Sequence, residues 1–237
     1  MEDPRRSVMW SPRYFGNLGG LVETGPFASF STPFGPLLRE GDSPDRNSLM
    51  RQSNVNRLFE RRRYIDITSP RAQFPFNLEF LHNGPHVWVG GQMARFESST
   101  FDPLFFCHHA FVDNLWKEFR INQQRLGVNP FTENVNLNRN TPVAGLPSFF
   151  NNDGLSRILY DMSMYLSRPT CSNKCAGADS NDLYCDNVKQ LCVSREYDIT
   201  VVPQAKMSHS EVRAMNEAMS VLSQLDQFHP VFINNGK

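Results

Sequence analysis

Apolar positions recur with helical spacing in several stretches of this 237-residue chain and are scattered elsewhere. The clearest stretch starts at Leu104. Phe105, Val112, Leu115, Trp116 and Phe119 follow at intervals of three, four and seven, the mark of a helix that buries one face. Asp102 is a good N-cap and Pro103 suits the first helical position, where its fixed φ and missing N–H are harmless. Nothing interrupts the pattern before Arg120. A shorter helix around Val55 to Tyr64 presents Val55, Leu58 and Phe59 to the core. Leu155 to Leu166 repeats the spacing through Ile158, Leu159, Met162 and Tyr165, so Met162 and Met164 read as core and not as metal ligands. Ser208 and Glu211 form a capping box for a last helix carrying Val212, Met215, Met219, Leu222 and Leu225.

Between these helices the pattern breaks down. Residues 7–38 are rich in glycine, proline and aromatics and predict irregular structure with short strands. Residues 39–57 are polar and loop-like until Asn54, and 121–154 read as a long surface excursion with asparagine turns and three prolines. A short strand is expected at 197–203. The expected class is therefore mainly α, with long irregular loops and a few short strands.

Composition excludes more than it identifies. With 40% hydrophobic residues the chain can build one good core or two small ones. Twenty-four basic residues balance 24 acidic ones, so there is no footprint of a nucleic-acid binder. The run Glu60-Arg61-Arg62-Arg63 reads as a solvated helix face. No apolar stretch approaches the roughly 20 residues of a membrane span. Met1-Glu2-Asp3-Pro4 lacks the apolar core of a signal peptide.

The chemistry is concentrated in one place. Of six histidines, His82, His86, His108 and His109 lie close together, while His209 and His229 are remote. Imidazoles at i and i+4 share a helix face, so His82 and His86 can reach one ion. Gly84 and Pro85 lie between them, and proline is tolerated only near a helix start. The helix is therefore expected to begin near His82, with Pro85 in its first turn. His108 and His109 are about 100° apart around their axis, so only one can point at a shared metal. His109, four residues before Asp113 and seven before Trp116, is the expected ligand, with His108 packing or hydrogen-bonding nearby. Three imidazoles with an open position suit catalytic zinc or copper. Cys171, Cys175, Cys185 and Cys192 crowd into a polar tract without paired C-x2-C knuckles, which favours two disulfides over zinc and points to an oxidising compartment. Their pairing stays open. Cys107 reads as a buried, packed thiol.

The run His82-Asn83-x-x-His86-x-Trp88-Val89-Gly90-Gly91, then Asp102-Pro103-x-Phe105-Phe106-x-His108-His109-Ala110-Phe111-Val112-Asp113, resembles the copper-B half of tyrosinases. These are type-3 binuclear copper phenol oxidases, a group that includes catechol oxidases and molluscan haemocyanins. The resemblance implies His82, His86 and His109 as ligands of one copper, within half of a four-helix bundle around two coppers. It implies oxidation of monophenols or catechols to o-quinones with O2. Trp10, Tyr14, Phe15 and Thr24-Gly25-Pro26-Phe27 resemble the connector that leads into copper-B in this family. The cysteine tract is similar to the C-terminal segment of molluscan and other invertebrate tyrosinases, which implies secretion. A glutamate ahead of the first ligand and an asparagine just after it hold a proton-accepting water in tyrosinases, and Glu79 and Asn83 resemble that pair.

No copper-A motif precedes the connector. Residues 1–125 are thus expected to be a copper-B half with its connector, and 126–237 a C-terminal extension with a Cys-rich loop (171–192) and a terminal helix. The second ion needs an N-terminal half or a partner chain. Alone, the chain is expected to be inactive and to expose the apolar inner faces of its copper helices. Two other functions fit the same residues: a non-catalytic, tyrosinase-like secreted matrix or structural protein, and a zinc hydrolase using the three histidines with Glu79 as base.

Overall fold

The computed structural model describes residues 4–41, 49–68, 71–130, 140–175 and 182–197. They fall into two units, one built from residues up to 130 together with 163–197, the other from 140–162. The expected last helix after Ser208, His209 and His229, and all but the first residue of the expected strand at 197–203, lie outside the described residues. Helices dominate and every strand is short, as the patterning predicted.

The connector is a set of turns pinned by two tiny ladders. Its strands are β1 (Gly20–Leu21), β2 (Ser31–Thr32), β3 (Gly35–Pro36) and β4 (Leu38–Arg39). β1 pairs antiparallel with β4, and β2 with β3 is nested between them. Arg39, in the stretch expected to be polar loop, is fully buried. Its Nε and Nη2 donate to the two carboxylate oxygens of Asp102 at 2.7 and 2.8 Å. Its Nη1 donates to the Phe15 carbonyl at 2.7 Å, and the guanidinium sits over the Trp10 ring.

Helix α1 (Gln52–Phe59) buries Val55 and Leu58, as expected, but ends sooner than Tyr64. Tyr64 follows in a 3-10 turn, where its ring packs edge-on against Trp116 and Phe119. Helix α2 (Leu78–Val89) starts four residues earlier than expected, capped by the Asn77 side chain on the Phe80 N–H. Pro85 is therefore inside the helix and not in its first turn as expected. Part of the cost of an internal proline is the clash of its ring with the Cβ of the preceding residue, and Gly84 has none.

Helix α3 (Leu104–Arg125) begins where its cap predicts, with Asp102 Oδ1 accepting from the Leu104 N–H at 3.0 Å. It runs past Arg120 because Ile121 to Arg125 are acceptable helix formers and Gln123 is buried, donating to the Arg61 carbonyl. Leu115 and Phe119 are buried on its inner face, each contributing roughly 1.5–3 kcal/mol. A second cluster joins Trp10, Leu18, Trp88, Val89, Met93 and Leu104, tying connector, α2 and α3 together.

The second unit contains a hairpin of β5 (Pro142–Val143) and β6 (Leu146–Phe150) and the short helix α4 (Arg157–Met162). The helix expected to reach Leu166 stops at Met162, and Met162 and Met164 are exposed, Met164 by 91%. They are not core among the described residues. The chain then returns to the first unit along α3. There Lys117 donates to the Ser163 carbonyl, Tyr165 to Asp113, and Arg168 to both oxygens of Glu118.

Four cysteines form two disulfides, Cys171–Cys185 and Cys175–Cys192. This is the outcome preferred over zinc, with the pairing now fixed. The bonds staple a loop to the hairpin of β7 (Leu183–Asp186) and β8 (Leu191–Ser194), in which Cys185 lies opposite Cys192. The hairpin end holds the start of the connector: Val8 N–H donates to the Arg195 carbonyl, Tyr197 N–H to the Arg6 carbonyl, and Ser7 to Ser194. Cys107 is the free thiol, and it is exposed at the edge of an apolar cavity instead of buried. The cavity walls, which include Trp10, Pro85 and Met93, still raise its pKa by desolvation.

Candidate metal centre

Helices α2 and α3 meet through their histidines. The Nε2 atoms of His82 and His86 are 3.1 Å apart, those of His86 and His109 3.1 Å, and those of His82 and His109 3.2 Å. A triangle of this size places all three nitrogens within about 2 Å of a common point near its centre, the length of a metal–imidazole bond. The remaining contacts set the tautomers. His86 Nδ1 lies 2.8 Å from the Met93 carbonyl and His82 Nδ1 3.3 Å from the Glu79 carbonyl. A carbonyl only accepts, so both Nδ1 atoms carry the proton and both Nε2 atoms present lone pairs. The lone pairs of His82 and His86 cannot bond to one another. A cation satisfies them, and the donor set fits one.

The surroundings hold this arrangement. Phe105 stacks on the His109 ring with centroids 3.9 Å apart. The Met93 carbonyl reaches His86 because the chain turns sharply after α2 at Gly90 and Gly91, both at positive φ. At Gly91 a Cβ would lie 1.9 Å from the Leu38 carbonyl oxygen, so only glycine lets this turn dock on β4. Gln92 closes the contact, accepting from the Leu38 N–H and donating to the Pro36 carbonyl.

His108 also brings a ring nitrogen within 4.8 Å of those of His82 and His86. Its Nε2, however, donates to the His82 carbonyl at 2.9 Å, so the three converging Nε2 atoms are those of His82, His86 and His109. Glu79 and Asn83 are exposed on α2, one turn apart and adjoining the face that carries His82 and His86. Sequence reasoning missed Arg39 and the Met93 carbonyl, while His108 packs and hydrogen-bonds beside the site as expected. Charge in a polar loop gave no sign of burial, and backbone acceptors carry no residue-type signal.

Residues 3–122 match the model of the common central domain of tyrosinase, half of the chain and all four clustered histidines. The chain belongs to the tyrosinase family. It is 30% identical to tyrosinase-like protein 1 of Margaritifera margaritifera, over 96% of this chain and 48% of that protein. It is 29% identical to a tyrosinase-like protein of Pinctada maxima over 72% of this chain and 43% of that one. A tyrosinase of Streptomyces antibioticus is 34% identical over 48% of this chain and 49% of its own length. The chain thus spans about half the length of the curated relatives it matches.

Burial from water pushes His108 and His109 down to about 4 and lowers His86, with the neighbouring imidazoles adding to the effect. Neutral rings are what a metal requires, so the site is ready to bind at neutral pH. Below the ordinary histidine value of about 6.5 the unfolded chain takes up protons that the folded chain refuses, so folding weakens as pH falls from 6.5 towards 4. Urea midpoints of the metal-free protein should drop through that window, and less so after His109→Gln. A flat midpoint between pH 6.5 and 4 contradicts this.

Proposed function

We propose that residues 1–125 are the copper-B half of a phenol oxidase, with His82, His86 and His109 holding one copper, in a protein secreted into an oxidising environment. The observation that carries this is the convergence of the three Nε2 atoms at 3.1–3.2 Å in a tyrosinase-family domain. The two disulfides support the compartment. Bound there, copper supplies electron transfer between a phenolic substrate and O2: two catechols give up four electrons and four protons, yielding two o-quinones and two waters.

The chain's own residues do the rest. The carbonyls of Met93 and Glu79 keep the His86 and His82 rings in the ligating tautomer, and Phe105 fixes the plane of His109. Glu79 and Asn83 would hold a water that accepts the phenol proton, since a carboxylate and an amide on adjoining turns are a competent general-base pair. Phe80, Val87 and Phe106 are exposed on α2 and α3. This apolar surface suits the packing of a second pair of helices, supplied by a further segment or a partner chain, which would complete a four-helix bundle and bring the second copper.

Copper titration of the purified chain, paired with a catechol assay, tests the reading. It requires one copper per chain, loss of that copper in His82→Ala, and quinone formation once a second three-histidine half is present. In such an active preparation Glu79→Gln should slow monophenol oxidation more than catechol oxidation; equal losses remove the proton-acceptor role. Failure to bind copper, or preference for zinc with hydrolytic activity, sinks the oxidase assignment. One tightly held copper with no quinone even in the completed assembly would instead make this a non-catalytic, tyrosinase-like secreted structural protein.

A further inference from the structure

We propose that His108 is a positioning residue, which fixes the backbone and ring of His82 without binding the ion itself. Two contacts carry the proposal. His108 Nε2 donates to the main-chain carbonyl of His82 at 2.9 Å, and the two rings stack with centroids 5.3 Å apart and planes 7° from parallel. The His86 ring packs edge-on against the other side of the arrangement, at 5.0 Å.

A carbonyl oxygen carries two lone pairs, so that of His82 can accept from an outside donor as well as from its own helix. Pro85 lacks the N–H that would bond the Leu81 carbonyl, so the neighbouring turn is short of one helical hydrogen bond. The adjoining carbonyl of His82 still has a lone pair to give, and the imidazole from α3 takes it. That turn carries the proposed ligand His82. His108 thus spans the two helices and replaces the stiffness that Pro85 removes. Its Nε2 is committed to this bond, so the neighbouring His109 supplies the converging nitrogen of α3.

This inference depends on the copper reading only for its metal arm. In the metal-free wild-type protein, long-range proton–nitrogen correlations of the imidazoles should find His108 protonated at Nε2. An Nδ1–H tautomer overturns the proposal whether or not copper binds. For the metal arm, Cu(II) is titrated by calorimetry into the full chain. His108→Phe, which keeps the stacking and loses the donor, should weaken binding about tenfold, the scale of removing a partner of a ligand. His108→Gln, whose amide can donate from nearly the same place, should recover most of that loss. His82→Ala should bind no copper at the site. Wild-type affinity in His108→Phe refutes the positioning role, and complete loss in both His108 variants makes His108 a ligand. If wild-type protein itself takes up no copper, the copper reading has failed and the tautomer measurement decides this one.

Discussion

His86→Ala should all but abolish copper binding while leaving the fold in place. The substitution removes one of three nitrogens that meet at 3.1–3.2 Å, so it takes away a metal bond and not merely support for one. Loss of an outer partner costs roughly 10–100-fold in metal affinity, and loss of a ligand should exceed that. Stability of the metal-free protein should move far less, by about 1 kcal/mol or under, because the ring is only half-buried and packs lone pair against lone pair. The opposing term is the buried Met93 carbonyl, which loses its partner at 2.8 Å but can be met by a water entering the space the imidazole leaves. Equilibrium dialysis against Cu(II), with urea denaturation of the same samples, separates the two effects. Affinity within threefold of wild type would remove His86 from the ligand set. Parallel collapse of stability would instead make it a core histidine.

What the sequence made legible follows from where the information sits. The face of α3, its start at Asp102-Pro103 and the pairing of His82 with His86 are local patterns, since each depends on residues within a turn or two. That only one of His108 and His109 turns its Nε2 towards those of His82 and His86 was legible too, because helix geometry allows only one of two adjacent side chains to face a given point. The start of α2 was misplaced by weighing Pro85 alone. Gly84 before it relieves one of the clashes that make internal proline costly, and Asn77 supplies the cap. The exposure of Cys107 was missed for a different reason. The helix around it is apolar, but burial depends on a cavity assembled from the chain start, α2 and α3, and no local window contains those residues. Arg39 is the most distant failure: its partner lies 63 residues away.

Arg39→Met should be the most damaging single substitution for the fold, costing about 3–5 kcal/mol, the usual consequence of leaving one member of a buried ion pair without the other. Both side chains are 0% exposed, so no water is at hand to stabilise the Asp102 carboxylate once its two-pronged partner is gone. The Phe15 carbonyl would lose its donor as well, loosening the connector. Asp102 cannot simply be deleted in compensation, because it also caps α3 at Leu104. Asp102→Asn removes the charge but keeps an oxygen for the cap, so Arg39→Met with Asp102→Asn should be more stable than Arg39→Met alone. The metal site should report the same ordering. Asp102 lies two turns before His109, so a frayed helix start displaces the one nitrogen that α3 contributes. Urea denaturation with the disulfides intact measures the first effect and Cu(II) affinity the second. If Arg39→Met costs under about 1 kcal/mol, or the added Asp102→Asn lowers stability further, the pair is not what holds connector to helix, and the convergence of the histidines rests on the Trp10–Trp88 cluster alone.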